Sequence, residues 1–164
     1  MTVDLDRHLY GAADAPTTIT EYGDFECPYC GAAKPVLRKL IDGSGGAVRL
    51  VYRHFPVFAK HPFALTAALA AEASGDKFWP MHDLLFAHQD RLTDADLAVY
   101  AKTAGVEGEV TGDAAQAHRE AVEADYNAGI EAGVRGTPTL FVNGRLYQGR
   151  VELDALRSAL GLHR

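Results

Sequence analysis

The chain has 164 residues, 48% of them hydrophobic and 23% charged, which is enough for one hydrophobic core and typical of a folded protein. Its formal net charge of -6 and the lack of a Lys/Arg cluster predict no nucleic-acid partner. No apolar segment is long enough to span a bilayer, so we also predict no membrane partner. The start carries Asp4 and Asp6 and lacks a signal-peptide pattern. We therefore predict a cytoplasmic location for the chain as written, with an exported mature form as the alternative.

The first part of the chain has the pattern of a strand, a helix and a second strand. Residues 17–23 alternate β-forming side chains and stop at a glycine, which predicts a strand. Apolar residues at spacings of three and four follow Cys27 and predict a helix that ends in the segment DGSGG, residues 42–46. Residues 47–55 alternate again. The three elements therefore predict a βαβ unit with parallel strands.

A helical pattern continues from about residue 61 to about residue 130 without an interrupting strand. Within it, Thr93 and Asp96 have the spacing of a capping box, which marks the start of a helix, and Gly105 is placed to end that helix. These residues predict a block of several helices rather than one long helix.

The last part of the chain predicts a hairpin and a final helix. Two alternating runs, residues 139–142 and 145–148, flank Asn143-Gly144, which favours a two-residue hairpin turn. An amphipathic helix follows from Leu153 to Leu160. Because no linker interrupts the βαβ, helical and ββα parts, we predict one α/β domain over 1–164 with a helical insertion at about 61–130.

The two cysteines of the chain, Cys27 and Cys30, form the motif CPYC, which suits a metal site, a structural disulfide or a redox pair. A structural Zn²⁺ ion takes four protein ligands, and the cysteines supply two. Among the seven histidines, only His82 and His88, six residues apart, form a short pair of the usual His-x₃₋₅-His kind, so support for the other two ligands is weak. We therefore predict no metal site.

A redox pair is the favoured interpretation of the motif. A disulfide across so short a loop restrains the unfolded chain very little, and a reducing cytoplasm opposes it. Cys27 lies at the predicted start of a helix, where unpaired N–H groups and the helix dipole stabilise a thiolate. Pro28 suits the first helical turn. Cys30 lies one turn further along, in a position to attack a mixed disulfide formed by Cys27.

A strand ending at CPYC on a helix start, followed much later by GTPTLFVNG, resembles the thioredoxin superfamily. The helical block between the two halves resembles its DsbA-like branch, and the likeness extends from about Tyr22 to Leu160. The resemblance implies a thioredoxin-like fold and a protein-disulfide oxidoreductase that needs no cofactor. Its partners would be protein or small thiols and disulfides, together with a redox partner that the sequence does not identify.

The resemblance also implies roles for residues outside the motif. Thr137 and Pro138 match the position of a cis-proline that faces the cysteine pair, with the Thr137 backbone available to a substrate strand. Glu21 matches a buried acid that relays a proton to the deeper cysteine, and a surface glutamate is the alternative. Pro35 matches a proline that kinks the active-site helix.

The residues between the cysteines depart from many exported DsbA-like oxidants, which have a histidine there. Pro28-Tyr29 is instead typical of many glutaredoxins, and we predict that both contact the substrate. Tyr29 would stack on a substrate or on glutathione, or cover an apolar rim. Asp24 and Glu26 should raise the pKa of Cys27 and partly oppose the helix dipole. We expect a reduction potential between roughly -120 and -270 mV.

Two alternative functions remain open on the sequence. The first is a glutathione-dependent reductase or isomerase of the same fold, which the Pro28-Tyr29 dipeptide suggests. The second is a binding module without enzymatic activity. Such a module would either hold a metal with Cys27 and Cys30 or act as a chaperone through the surface around Pro138.

Overall fold

A five-stranded mixed sheet forms the centre of this computed structural model, which describes residues 2–162. The strands are β1 (Leu9–Tyr10), β2 (Thr17–Gly23), β3 (Val48–His54), β4 (Thr139–Val142) and β5 (Arg145–Leu146). Their order across the sheet is β1-β3-β2-β4-β5. β2 and β3 pair in parallel, as the predicted βαβ unit requires, whereas the other neighbours are antiparallel.

Seven α-helices accompany the sheet within the described residues: α1 (Pro28–Asp42), α2 (Ala64–Ala73), α3 (Phe78–Ala87), α4 (Asp94–Ala104), α5 (Gly112–Gln116), α6 (Arg119–Glu131) and α7 (Leu153–Ala159). A 3₁₀ turn, Gly75–Lys77, connects α2 and α3. Helices α2 to α6 form the predicted insertion between the βαβ and ββα halves. The predicted domain span of 1–164 also includes residues 1, 163 and 164, which lie outside the described residues.

The start of α1 agrees with the sequence prediction. Cys27 is the residue that precedes the first helical turn, with an extended backbone (φ -72°, ψ 120°), and Pro28 occupies the first helical position. The missing N–H of a proline costs nothing there because the first N–H groups of a helix have no partner within it. Pro35 lies inside the same helix.

Two local signals in the second half of the chain are confirmed. Thr93 and Asp96 form a capping box, in which the Asp96 N–H donates to Thr93 Oγ1 at 3.3 Å and the Thr93 N–H donates to Asp96 Oδ2 at 3.1 Å. Asn143 and Gly144 both have positive φ, 47° and 85°, as a tight two-residue hairpin turn requires. The second strand of that hairpin is shorter than predicted, since β5 ends at Leu146.

The sequence analysis missed two short elements. The region before β2 was expected to be a loop, but Leu9 and Tyr10 pair with β3 as an antiparallel edge strand. Helix α5 has five residues. Neither element is long enough to show a repeat of two or 3.6 residues, so periodicity carried no signal for them.

The buried side chains form two main clusters, one of which contains the cysteine pair. Helices α1 and α7 cover one face of the sheet through a cluster that includes Ile19, Leu37, Leu40, Leu50, Leu140 and Leu156. A second cluster joins the insertion to the active-site segment and includes Phe25, Cys27, Cys30, Tyr52, Phe78, Met81, Leu85, Phe86 and Leu97. Each fully buried aliphatic side chain stabilises the fold by roughly 1.5–3 kcal/mol. The insertion therefore helps to bury the cysteines.

Candidate active site

The structure brings the cysteine pair against the distant Thr137-Pro138 segment. Cys27 Sγ lies 3.4 Å from the carbonyl oxygen of Thr137, 110 residues away along the chain, and its thiol form donates to that oxygen. The peptide bond between Thr137 and Pro138 is cis, as the resemblance implies. Both cysteines are free thiols, Cys27 with 4% of its surface exposed and Cys30 with none. The cysteine pair and the Thr137-Pro138 segment therefore lie next to each other.

The two thiols differ in how easily they ionise. The pKa of Cys27 falls to about 5, because the Cys30 thiol and the N–H groups of Tyr29 and Cys30 hydrogen-bond to its sulfur, and these effects outweigh burial. Burial raises the pKa of Cys30, and the hydrogen bond to Cys27 and the charge of Glu21 add to the increase. Near neutral pH, Cys27 is thus a thiolate and Cys30 a thiol.

Glu21 is a buried acid beneath the cysteines, so the alternative of a surface glutamate is wrong. It lies in β2 between Tyr52 of β3 and Leu140 of β4, and 3% of its surface is exposed. Burial raises the pKa of Glu21 to about 8, and the negative charge of Cys27 contributes to the increase. Glu21 can therefore gain or lose a proton near neutral pH.

A cavity of about 590 Å³ opens beside the cysteine pair. Its lining consists of Tyr29, Ala32, Ala33, Thr137, Pro138, Arg150, Val151 and Glu152. Three of the four predicted substrate-contacting residues, Tyr29, Thr137 and Pro138, are thereby brought together. The fourth, Pro28, is exposed but does not line the cavity. Tyr29 has 73% of its surface exposed, which leaves its ring available to a bound molecule.

The acidic residues before Cys27 are held by the loop that follows β3. Asp24 is buried and accepts a hydrogen bond from His61 Nδ1 at 2.7 Å, and Glu26 accepts one from the backbone N–H of Phe63. We expected these carboxylates to raise the pKa of Cys27, but that pKa lies well below the ordinary value of 9.0. The hydrogen bonds at the sulfur therefore dominate over the two acids.

Gln89, in the connection after α3, is a site residue that the sequence analysis missed. Its side-chain amide Nε2 donates to the carbonyl oxygens of Phe25 at 2.9 Å and Cys27 at 2.8 Å. Gly31 leaves the space that the amide occupies, since a Cβ there would lie 2.3 Å from Gln89 Oε1. A single glutamine 62 residues from Cys27 belongs to no recognisable motif, so no sequence signal could have identified it.

The structure does not favour the metal-binding alternative for the cysteines. Among residues 2–162, the group with suitably close ligand atoms is His8, His54 and Glu72, with its atoms within 4.8 Å of one another, and it contains neither cysteine. Both oxygens of Glu72 accept hydrogen bonds from the Arg7 guanidinium at 2.8 Å. Because an arginine already neutralises this carboxylate, the cluster fits an ion pair with histidine donors better than a cation site.

Among the helices described, none combines the length and the apolar character that a membrane crossing requires. The cytoplasmic location that we predict from the sequence stays a prediction.

Comparison with known proteins identifies relatives that are much longer than this chain. The chain is 45% identical over 163 residues to the Na(+)/H(+) antiporter NhaA 1 of Salinispora arenicola, a match that covers 96% of this chain and 25% of the relative. It is 39% identical over 165 residues to the Na(+)/H(+) antiporter NhaA 1 of Mycolicibacterium vanbaalenii, covering 96% of this chain and 27% of the relative. The chain thus spans about a quarter of the length of these curated relatives.

Solved structures share the whole fold. The catalytic domain of Proteus mirabilis ScsC superposes with a TM-score of 0.83 at 20% identity, covering 96% of this chain and 89% of that one. Pseudomonas aeruginosa DsbA2 superposes with a TM-score of 0.72 at 26% identity, covering 98% and 95%. Oxidised BdbD of Bacillus subtilis superposes with a TM-score of 0.74 at 23% identity, covering 97% of this chain and 94% of that one. Residues 4–161 match the family model described as Thioredoxin, and the chain therefore belongs to the thioredoxin family, with the helix-inserted fold of its DsbA-like members.

Proposed function

We propose that the chain is a thiol–disulfide oxidoreductase that exchanges disulfides with protein thiols through Cys27 and Cys30. The observation that carries the proposal is the contrast between the two thiols, since the pKa of Cys27 is lowered to about 5 and the pKa of Cys30 is raised. A thiolate is the attacking species in disulfide exchange. Two thiols three residues apart are thus suited to successive steps of one exchange.

In the first step, the Cys27 thiolate attacks one sulfur of a substrate disulfide. A bond forms between Cys27 and that sulfur, the substrate S–S bond breaks, and the other substrate sulfur leaves as a thiolate. The thiolate at Cys27 is a good leaving group for the reverse reaction as well, because its pKa is low. The same residue can therefore serve a reductase or an oxidase.

In the second step, the Cys30 sulfur attacks Cys27, which releases the first substrate sulfur as a thiolate and leaves a Cys27–Cys30 disulfide. Cys30 must lose its proton first, and Glu21 is the proposed acceptor. The negative charge of Cys27 is one cause of the raised pKa of Glu21, and the mixed disulfide removes that charge. We expect Glu21 to ionise more easily at that stage, which provides a carboxylate when Cys30 needs a base.

We propose that the cavity beside the site receives the substrate. Tyr29 lines it at the start of α1, with the exposed Pro28 next to Tyr29 in the chain, and Thr137 and Pro138 line it beside Cys27. An extended protein segment fits such a surface because backbone groups supply binding while side chains enter the cavity. Protein thiols and disulfides are the proposed substrates, a second redox protein restores the pair, and glutathione is the small-thiol alternative that the assay must test.

We propose an intermediate reduction potential for the pair. A pKa of about 5 for Cys27 lies between the roughly 3.5 of a strong oxidant and the roughly 7 of thioredoxin. This activity is proposed for the segment that the antiporter relatives share with this chain, and it rests on the cysteine site rather than on the name of those relatives.

Two serine variants test the function. Cys27→Ser should lower the rate of disulfide exchange with an unfolded protein substrate that carries a disulfide by at least about 10³-fold, since it removes the nucleophile. Cys30→Ser should still attack and should accumulate a mixed disulfide that is visible on a non-reducing gel. Exchange by Cys27→Ser at the wild-type rate would overturn the proposal. Exchange that occurs with glutathione and not with the protein substrate would favour the glutathione-dependent alternative.

A further inference from the structure

We propose that Gln89 is a positioning residue for the exchange reaction, which holds the backbone on both sides of Glu26 so that the sulfur of Cys27 faces the first turn of α1. The effect of Gln89 on exchange rests on the proposed function. Its effect on the surroundings of the Cys27 sulfur does not, since it concerns only how a residue of the helical insertion holds the backbone.

Gln89 uses both N–H donors of its side-chain amide. Gln89 Nε2 donates to the Phe25 carbonyl at 2.9 Å and to the Cys27 carbonyl at 2.8 Å. These distances are those of ordinary N–H···O bonds. An NH₂ group has two hydrogens, and both are needed to connect two carbonyls that are two residues apart. No other orientation of the amide satisfies both carbonyls.

Gln89 also fits closely against Gly31. A Cβ on residue 31 would lie 2.3 Å from Gln89 Oε1 and 2.9 Å from its Cδ. The backbone N–H of Gly31 donates at 3.1 Å to the same Cys27 carbonyl that accepts from Gln89. A glycine at this helical position therefore permits the amide to reach the carbonyl oxygen at the start of α1.

The consequence for Cys27 follows from what stabilises its thiolate. The Cys30 thiol hydrogen-bonds to the sulfur, and Thr137 and the N–H groups of Cys30 and Tyr29 add to this effect. The two N–H contacts depend on the extended backbone of Cys27 at the helix start. The next residue, Pro28, occupies the first helical position, where its missing N–H removes no intrahelical hydrogen bond. Within α1 the Cys27 carbonyl accepts a hydrogen bond from the Gly31 N–H, and Gln89 adds a second donor to this carbonyl and connects it to the Phe25 carbonyl.

The position of Gln89 links the insertion to the chemistry. Gln89 follows α3, whose buried residues Leu85 and Phe86 belong to the same cluster as Cys30. The insertion therefore both covers the cysteine pair and holds its backbone. A change in the packing of α3 would move Gln89, and with it the backbone of Cys27.

The test measures the pKa of Cys27 in the reduced protein from the ultraviolet absorbance of its thiolate as pH is varied. In Gln89→Leu, the pKa should rise by about one pH unit, which corresponds to the loss of about one hydrogen bond that favours the thiolate. The matched control is Gln116→Leu, which replaces an exposed glutamine that contacts Arg119 and should leave the pKa of Cys27 unchanged.

Gly31→Ala provides a second variant in case Gln89→Leu does not fold. It keeps the glutamine but displaces its amide, and the pKa of Cys27 should rise in the same direction. The charged and titratable groups nearest Cys27 are all retained in these variants: Cys30 on α1, Glu21 on β2, and Asp24, Glu26 and His61 on the two loops. A shift is therefore attributable to the lost contacts of Gln89.

The outcomes separate this inference from the proposed function. A lower melting temperature with an unchanged pKa of Cys27 in both variants would mean that Gln89 is only structural, and would overturn the inference. A raised pKa in protein that shows no disulfide exchange, wild type included, would support the positioning role and contradict the proposed function. A raised pKa together with slower exchange at pH 5 to 6, where the thiolate fraction changes most, supports both.

Discussion

Glu21 and Glu72 are the same residue type in two buried regions, and their surroundings give them opposite properties. Glu21 lies in the sheet beneath the cysteines, between apolar and aromatic neighbours. Glu72 lies in α2, where Arg7 donates to both of its oxygens and the Nε2 atoms of His8 and His54 lie 2.8 and 3.0 Å from Oε1. The first carboxyl group is poor in donors and the second is surrounded by them.

The comparison shows that burial by itself does not decide the charge of a carboxyl group. Burial raises the pKa of Glu21 to about 8. Burial would also raise the pKa of Glu72, but hydrogen bonds from His54, His8 and Arg7 outweigh it and hold that pKa far below 4.5. Glu72 is therefore an anion that joins the segment before β1 to β3 and α2, whereas Glu21, whose pKa is about 8, is the proposed proton acceptor for Cys30.

The largest expected effect is that of Glu21→Gln on stability at high pH. The unfolded state releases the Glu21 proton near pH 4.5 and the folded state near pH 8, so wild-type stability is lost as pH rises between these values. At about pH 9 the reduced variant should be more stable than wild type by up to roughly 4–5 kcal/mol. Urea unfolding at several pH values measures the difference.

Two controls sharpen this prediction. Oxidation removes the charge of Cys27, so the advantage of Glu21→Gln should be smaller in the oxidised protein. The exposed Glu123, paired at 3.7 Å with Arg119, should tolerate Glu123→Gln within about 0.5 kcal/mol at every pH. An advantage of Glu21→Gln that does not grow between pH 5 and 9 would contradict the raised pKa.

The second effect is the loss of stability in Glu72→Gln, which breaks a largely buried ion pair with Arg7. We expect a loss of about 2 kcal/mol at pH 7, because Arg7 keeps its charge and retains only Asp125 as a carboxylate partner. The pKa of Glu72 is depressed in the folded state, so its contribution is present above pH 4.5 and declines as pH falls further. The difference between wild type and variant should therefore shrink in acid, as it does for Glu21→Gln, but with the opposite sign, because Glu72→Gln is the less stable protein.

The smallest effect is that of Tyr52→Phe, next to Glu21 in the sheet. The Tyr52 hydroxyl is buried and has no hydrogen-bond partner, so its removal sacrifices no hydrogen bond and relieves the cost of burying a polar group. The free energy of unfolding should stay within about 1 kcal/mol of wild type or increase. A loss above about 2 kcal/mol would show that the region around Glu21 holds a polar partner for this hydroxyl.

Much of the site was predictable because its residues follow one another along the chain. The alternating strand, Cys27 at the start of a helix, Pro28 and Cys30 lie within fourteen residues, 17–30, and local rules of strand and helix formation apply to them directly. Thr137 and Pro138 were identified through their resemblance to a known family, since local patterns alone predict only the start of a strand there. Gln89 could not be found in either way.

The sequence by itself determined the order of the longer elements, the insertion and the position of Cys27 at a helix start, because periodicity, capping and turn residues act over a few neighbouring positions. Only the tertiary structure decided which side chains face each other across long stretches of chain. Arg7 reaches Glu72 across 65 residues and Gln89 reaches Cys27 across 62. The pKa of a buried acid depends on such contacts, so the packing of distant segments lowers the pKa of Glu72 and raises that of Glu21.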